Sequence, residues 1–273
     1  RGLGDVYKRQ LVCLVTSIPS FAQFTINGRS VIYDKVSDTY MVSIPENAFG
    51  TDYEASIALD ATAGWSNLSI EGTDIADNYT FKQVEGNKIY KIHAQEGDKE
   101  INTQLTFTFL PLLVMEGTFG YDYAQGNISL LSPEAAEPTN SFAKVKWRGG
   151  STNTADKHKR NYKIKTLNEK GKKQEISLLG MREDNNWILD AGQIDLFRLR
   201  NRIATEIWND FATKPYYASK EPKAKSGVTG KVVEVILNNE YRGIYSLTEA
   251  MDRKELKLKK YDDKNQEFHG QLW

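Results

Sequence analysis

Between Lys144 and Lys165 the chain carries Lys144, Lys146, Arg148, Lys157, Lys159, Arg160, Lys163 and Lys165 against one acid, Asp156. The chain as a whole balances 36 basic against 36 acidic residues, so this is a local concentration of positive charge. Gly149 and Gly150 stand in its middle, where the missing side chain lets backbone approach a ligand closely. Cations around a glycine turn suit a phosphate, whose charge must be neutralised and whose oxygens accept N–H donors. The competing reading is a set of solvated lysines on an ordinary hairpin.

The elements that must position these cations are strands. Val145 and Trp147 alternate with polar residues on one side of the glycine turn, and Tyr162, Ile164 and Thr166 do so on the other, which is the two-residue period of half-buried β-structure. A hairpin with a long, glycine-led loop follows. Further on, Lys231–Leu237 and Glu240–Leu247 flank Asn238 and Asn239, a pair that tolerates positive φ and predicts a second, tight hairpin. Its second strand runs into Glu249, a carboxylate with no evident capping role. Asp252, three residues before Glu255, instead reads as the cap of a short helix over 253–259. From Ile194 to Phe211 the period turns helical. Leu196, Leu199, Ile203, Ile207 and Phe211, widened by Ala204 and Trp208, make a stripe expected to be core, with Arg198, Arg202 and Glu206 opposite. Arg200 and Asn201 sit at its edge.

The composition, 40% hydrophobic and 26% charged over 273 residues, describes a globular protein large enough for one big or two smaller domains. Neutral overall charge argues against a nucleic-acid binder. Residues 23–110 offer short alternating runs separated by turn signals, with no helical stretch, and predict an all-β sandwich of immunoglobulin type. Tyr53, Trp65 and Tyr79 there are expected to be buried, with a sugar platform as the alternative. Residues 111–273 form a second domain, giving an α+β chain: an antiparallel sheet with packed helices. At the other end, Lys8 and Arg9 precede an apolar run, Leu11 to Ala22, too short to cross a bilayer, which reads as an export signal cut after Ala22. Arg1 to Asp5 read as a foreign leader. Removing Cys13 with the signal would leave no cysteine, and His93, His158 and His269 have no zinc-ligand spacing. Asp262 and Asp263 lie among lysines and read as a solvated loop.

Five blocks in order carry a resemblance: Lys146-Trp-Arg-Gly-Gly150, Lys159-Arg-Asn-Tyr-Lys-Ile164, Leu178-Leu-Gly-Met-Arg-Glu-Asp-Asn-Asn-Trp-Ile-Leu189, Arg200-Asn201, and Asn238-Asn-Glu-Tyr-Arg-Gly-Ile-Tyr-Ser-Leu-Thr-Glu-Ala-Met-Asp-Arg253. Together they resemble the CotH family, the spore-coat protein H-like atypical kinases, over residues from about 110 onward. The resemblance implies transfer of the ATP γ-phosphate to Ser or Thr of a protein, with ATP and Mg²⁺ as cofactors. It implies that Lys159 contacts phosphate, that Glu249 pairs with Lys159, and that Arg148, Arg160 and Arg200 are further nucleotide contacts. The family's catalytic Asp in an Asn-rich segment and its metal-binding Asp-x-Asp are expected downstream of 253–259. The chain therefore reads as C-terminally incomplete, and as inactive by itself. The implied setting is secreted, periplasmic or cell-surface, with no transmembrane segment and an unknown protein substrate. The alternative is a non-catalytic surface protein whose sandwich binds a glycan or a protein partner.

Overall fold

The computed structural model describes residues 23–60, 62, 64–154, 156–259 and 261–266. The expected export signal lies outside the described residues. Within them the chain is β-rich, and it divides into two compact units.

The first unit holds the residues up to Leu112 together with Leu131–Pro138 and Asn239–Tyr241. Its strands are β1 (Phe24–Ile26), β2 (Arg29–Ser30), β3 (Ile32–Asp34), β4 (Thr39–Ser43), β5 (Tyr53–Leu59), β6 (Trp65–Ile70), β7 (Thr73–Asp74), β8 (Asn78–Phe81), β9 (Ile89–Glu96) and β10 (Lys99–Thr108). They form a four-stranded sheet, β2-β1-β5-β8, and a six-stranded sheet, β3-β4-β10-β9-β6-β7. Alternation in the sequence becomes alternation in burial: in β9, Tyr90, Ile92 and Ala94 are buried between exposed or half-buried neighbours. Phe81, Tyr90 and Phe107 meet edge to face with centroids 4.8–5.5 Å apart. Trp65 is buried and stacks on Phe24 at 6.1 Å inside the same core, while Tyr53 and Tyr79 are half-buried and pack against it. Arg29 ties the segment 131–138 into the unit by donating to the carbonyls of Ser132 and Ala135 at 3.0 and 2.9 Å.

The second unit is built on β11 (Leu112–Glu116), β12 (Ala124–Leu131), β13 (Thr139–Arg148), β14 (Asn161–Leu167), β15 (Asn186–Asp190), β16 (Gly230–Leu237) and β17 (Glu240–Glu249). These close into a barrel in the order β11-β12-β13-β14-β15-β17-β16. Val145, Ile164, Trp187, Leu189, Val233, Val235, Tyr245 and Leu247 fill it. Closure leaves the barrel strands without a free edge. The β13–β14 hairpin forms as its alternation requires, with Val145 opposite Ile164 and Trp147 opposite Tyr162. Asn238 and Asn239 both take positive φ, 52° and 60°, and make the tight turn between β16 and β17.

Two expectations need correction. The helix is shorter than its sequence period, α1 (Arg200–Phe211), and its apolar stripe is not core. Leu196 is 92% exposed, Ile203 51%, Ile207 54% and Phe211 66%, whereas Arg202, expected on the solvent side, is the buried residue of the helix. The physical reason is the anchor. Arg202 donates to the Val228 carbonyl at 3.3 Å and pairs with Glu206 at 3.1 Å. It lies over Gly230, where a Cβ would meet its guanidinium. Trp208 and Asn209 donate to the Ser226 and Val228 carbonyls at 2.9 and 3.0 Å. Holding the helix by this polar edge turns the aliphatic edge outward. The second correction is at 253–259, which forms successive turns and no helix. Asp252 still caps, accepting from Lys254 N–H at 2.9 Å, but Lys257 enters the left-handed region at φ 53° and ends any helical run.

Candidate functional site

The loop between β13 and β14 is held by its own side chains. Gly149 has φ 105°, and a Cβ there would collide with the Thr152 hydroxyl, so this glycine is required by the turn itself. Arg160 donates to the Thr154 carbonyl at 2.6 Å and stacks over Trp147 at 4.8 Å, which spends its guanidinium on ordering the loop. Asn161, next in sequence, is buried and accepts from Ala191 N–H at 2.6 Å, tying the start of β14 to the end of β15.

Lys159 leaves this loop toward the barrel. Its ammonium donates to the Ile244 carbonyl and lies 4.1 Å from the Tyr245 ring centroid. Burial lowers its pKa to about 8, with the charge of Arg198 adding to the fall and Asp190 opposing it. A half-buried lysine held by a carbonyl and a π face, with no carboxylate in contact among the described residues, is a cation ready for an anionic ligand. Arg148 is exposed at the end of β13. Arg200 opens α1, 3.4 Å from Asp195 and stacked over Phe197 at 4.8 Å.

Glu249 is elsewhere, and the expected pair with Lys159 does not form. Tyr245, Leu247 and Glu249 share the inward face of β17, so four residues separate the lysine's ring from the carboxylate, about 13 Å of strand. Glu249 continues the apolar row Val145–Ile164–Trp187 and ends it inside the barrel, only 1% exposed. It accepts N–H bonds from Thr229 at 2.7 Å and Arg182 at 2.9 Å, and both its oxygens take Lys225 Nζ, at 3.1 and 3.2 Å. Burial pushes this carboxyl up, but the Thr229 and Arg182 amides and the Lys225 ammonium together hold it below its ordinary range.

Around it the charges interlock. Arg182 reaches Asp184 at 2.8 Å, Asp252 at 3.4 Å and Glu255 at 2.6 Å, and Lys254 also caps Asp184. Asp184 is pushed up by burial yet ends below its usual pKa because Lys254, the Asn185 amide and Arg182 face it. Glu255, fully buried, goes the other way: burial and then the neighbouring Glu249 raise it to about 7. This cluster borders an open hollow of about 780 Å³, lined by Arg182, Lys223, Arg253, Lys254, Lys257 and Lys259 with Glu175, Glu183 and Asp184 as its acids. No three His, Cys, Asp or Glu side chains converge to hold a metal among the described residues.

Sequence reasoning thus found Glu249 but not its partner. Lys225 lies in an aperiodic, lysine-rich stretch with Lys220 and Lys223, where nothing marks one ammonium from the next. Arg182 and Asp184 left a fainter trace in the polar run before Trp187. Against known proteins, residues 145–271 match the model of the family described as CotH kinase protein. The resemblance read from the residues holds over that stretch. No curated protein matches the chain.

Proposed function

We propose that this chain, CotH-like over residues 145–271, is part of an exported atypical kinase that moves the ATP γ-phosphate to Ser or Thr of a protein. The carrying observation is the extent of that match, which spans Arg148, Lys159, Arg160, Arg200 and Glu249 together. In this reading residues 111–273 are the kinase part and 23–110 an immunoglobulin-like spacer or adhesion module outside the cell.

Phosphoryl transfer is mostly positioning and charge neutralisation. Lys159 contacts the phosphates, and an anion there would raise its lowered pKa and restore a full charge. Arg148 and Arg200, both exposed, swing onto the same group, and Arg160 keeps the loop in shape. Glu249 acts one step removed: it fixes Lys225 and, through Arg182, the wall of the basic hollow. ATP supplies the phosphoryl group. The hydroxyl oxygen of Ser or Thr bonds to the γ-phosphorus, the bond to the β–γ bridging oxygen breaks, ADP leaves with that oxygen, and the hydroxyl proton passes to water. Mg²⁺ is the second cofactor of this reading; among the described residues no three His, Cys, Asp or Glu side chains converge, and no ligand is assigned to it.

The test is calorimetric titration of ATP into the chain and into its Lys159→Ala variant. ATP should bind, and Lys159→Ala should weaken it about tenfold, the value of one good charge-assisted contact. Equal affinity in the two proteins would remove Lys159 from the site.

A further inference from the structure

The eight cations read as one group in the sequence separate in the fold. Lys157, Lys159 and Arg160 belong to the loop. Lys144 and Lys146 on β13 and Lys163 and Lys165 on β14 project from the outer wall of the barrel, opposite in parity to the buried Val145 and Ile164. The register sets Lys144 directly opposite Lys165 and Lys146 directly opposite Lys163. Like charges at such positions repel across about 5 Å, and folding gains nothing from placing them so. Among the described residues none of the four is within ion-pair distance of a carboxylate. Lys146 and Lys165 instead share the ring of Tyr123, at 5.1 and 4.6 Å from its centroid. At Lys163, burial and the charges of Lys165, Arg148 and Lys146 lower the pKa, with Asp252 opposing.

We infer that this lysine ladder is a docking surface for an extended acidic polypeptide segment. The match is geometric as well as electrostatic. Lysines at alternate positions recur about every 6.8 Å along a strand, and an extended peptide shows alternate side chains at the same interval. Asp or Glu at every second position would therefore meet Lys144 and Lys146 in one row, or Lys165 and Lys163 in the next. Tyr123 gives the row an apolar flank. A triphosphate offers the charge without the two-residue repeat, and the competition described below separates it from a peptide. The net neutrality of the chain speaks against RNA or DNA. The surface goes beyond the kinase reading and stands without it, although it would supply that activity with a class of substrate, proteins with acidic stretches.

The experiment uses the purified chain without nucleotide and a fluorescent peptide alternating Glu with Ser, followed by anisotropy. Its controls are the Gln-for-Glu peptide, inorganic triphosphate and ATP as competitors. The Glu peptide should bind and the Gln peptide should not, with affinity falling as salt rises. Lys146→Glu combined with Lys165→Glu should weaken binding at least about tenfold, since each change replaces attraction with repulsion. Because the same change relieves two like-charge contacts, the melting temperature should hold or rise, so loss of binding is separable from loss of fold. Unaltered affinity in the double variant overturns the proposal. So does equal binding of the Gln peptide, or tight binding of triphosphate with none of the Glu peptide. Failure of ATP to bind the chain at all would sink the kinase reading and leave this one untouched.

Discussion

Two groups of cations in the second unit are treated in opposite ways. At the end of the barrel Arg182, Lys225 and Lys254 are each met by an acid, Asp184, Glu249 and Glu255 among them. On the outer wall Lys144, Lys146, Lys163 and Lys165 face one another. Solvent explains what is permitted: a charge taken out of water must be paired, and one left at the surface need not be. It does not explain why four lysines should be set in opposing pairs, since surface pairing of opposite signs costs nothing. The first group has the marks of a structural lock and the second of a surface kept open for a partner.

Breaking the lock should give the largest effect. Glu249→Ala leaves the Thr229 and Arg182 amides and the half-buried Lys225 without their acceptor, and should destabilise the second unit by about 3 kcal/mol. Urea unfolding checks this; a loss under about 1 kcal/mol would mean that Lys225 simply turns to water.

Next comes the pH dependence of the same cluster. The pKa of Glu255 is raised on folding to about 7, so the native state holds a proton that the unfolded chain has already released above the ordinary carboxyl range. Its contribution to stability is complete at acidic pH and lost as pH climbs through about 7. Glu255→Gln should flatten the wild-type decline between roughly pH 4.5 and 7. Parallel melting curves for the two proteins across that range would show that Glu255 ionises freely.

Reversing a single rung of the ladder is smaller and opposite in sign. Lys146→Glu should stabilise by up to about 1 kcal/mol by giving Lys163 a partner, an effect that salt erases. Smallest of all is Ile207→Ser on the outward face of α1, within about 0.5 kcal/mol of wild type. A cost above about 2 kcal/mol would restore that stripe to the core.

The parts of this arrangement that were legible are those decided locally. Alternation at Val145, Tyr162 and Ile164 reports which face of each strand is buried, and Asn238-Asn239 announces its turn, because both signals depend only on near neighbours. Barrel closure was not legible: that β15 runs between β14 and β17 follows from pairings across sixty residues. The α1 stripe shows the limit most plainly. Ile203, Ile207 and Phe211 have the spacing of a buried face whether or not anything covers them, and the deciding contacts come from Arg202 and Gly230, two residues with no apolar signature. Glu249 stood out because it lacked a local role, yet its role turned on Lys225, a residue the sequence does not distinguish from its neighbours.

The most direct measurement of the proposed chemistry is the affinity of ATP followed from about pH 7 to pH 9.5 in the wild type and in Lys159→Ala and Lys159→Arg. Since the Lys159 ammonium titrates near 8, wild-type affinity should fall through that range, Lys159→Ala should bind weakly at every pH, and Lys159→Arg should lose the pH dependence. No binding by the wild type, or three superimposable curves, would contradict a phosphate at the Gly149 loop.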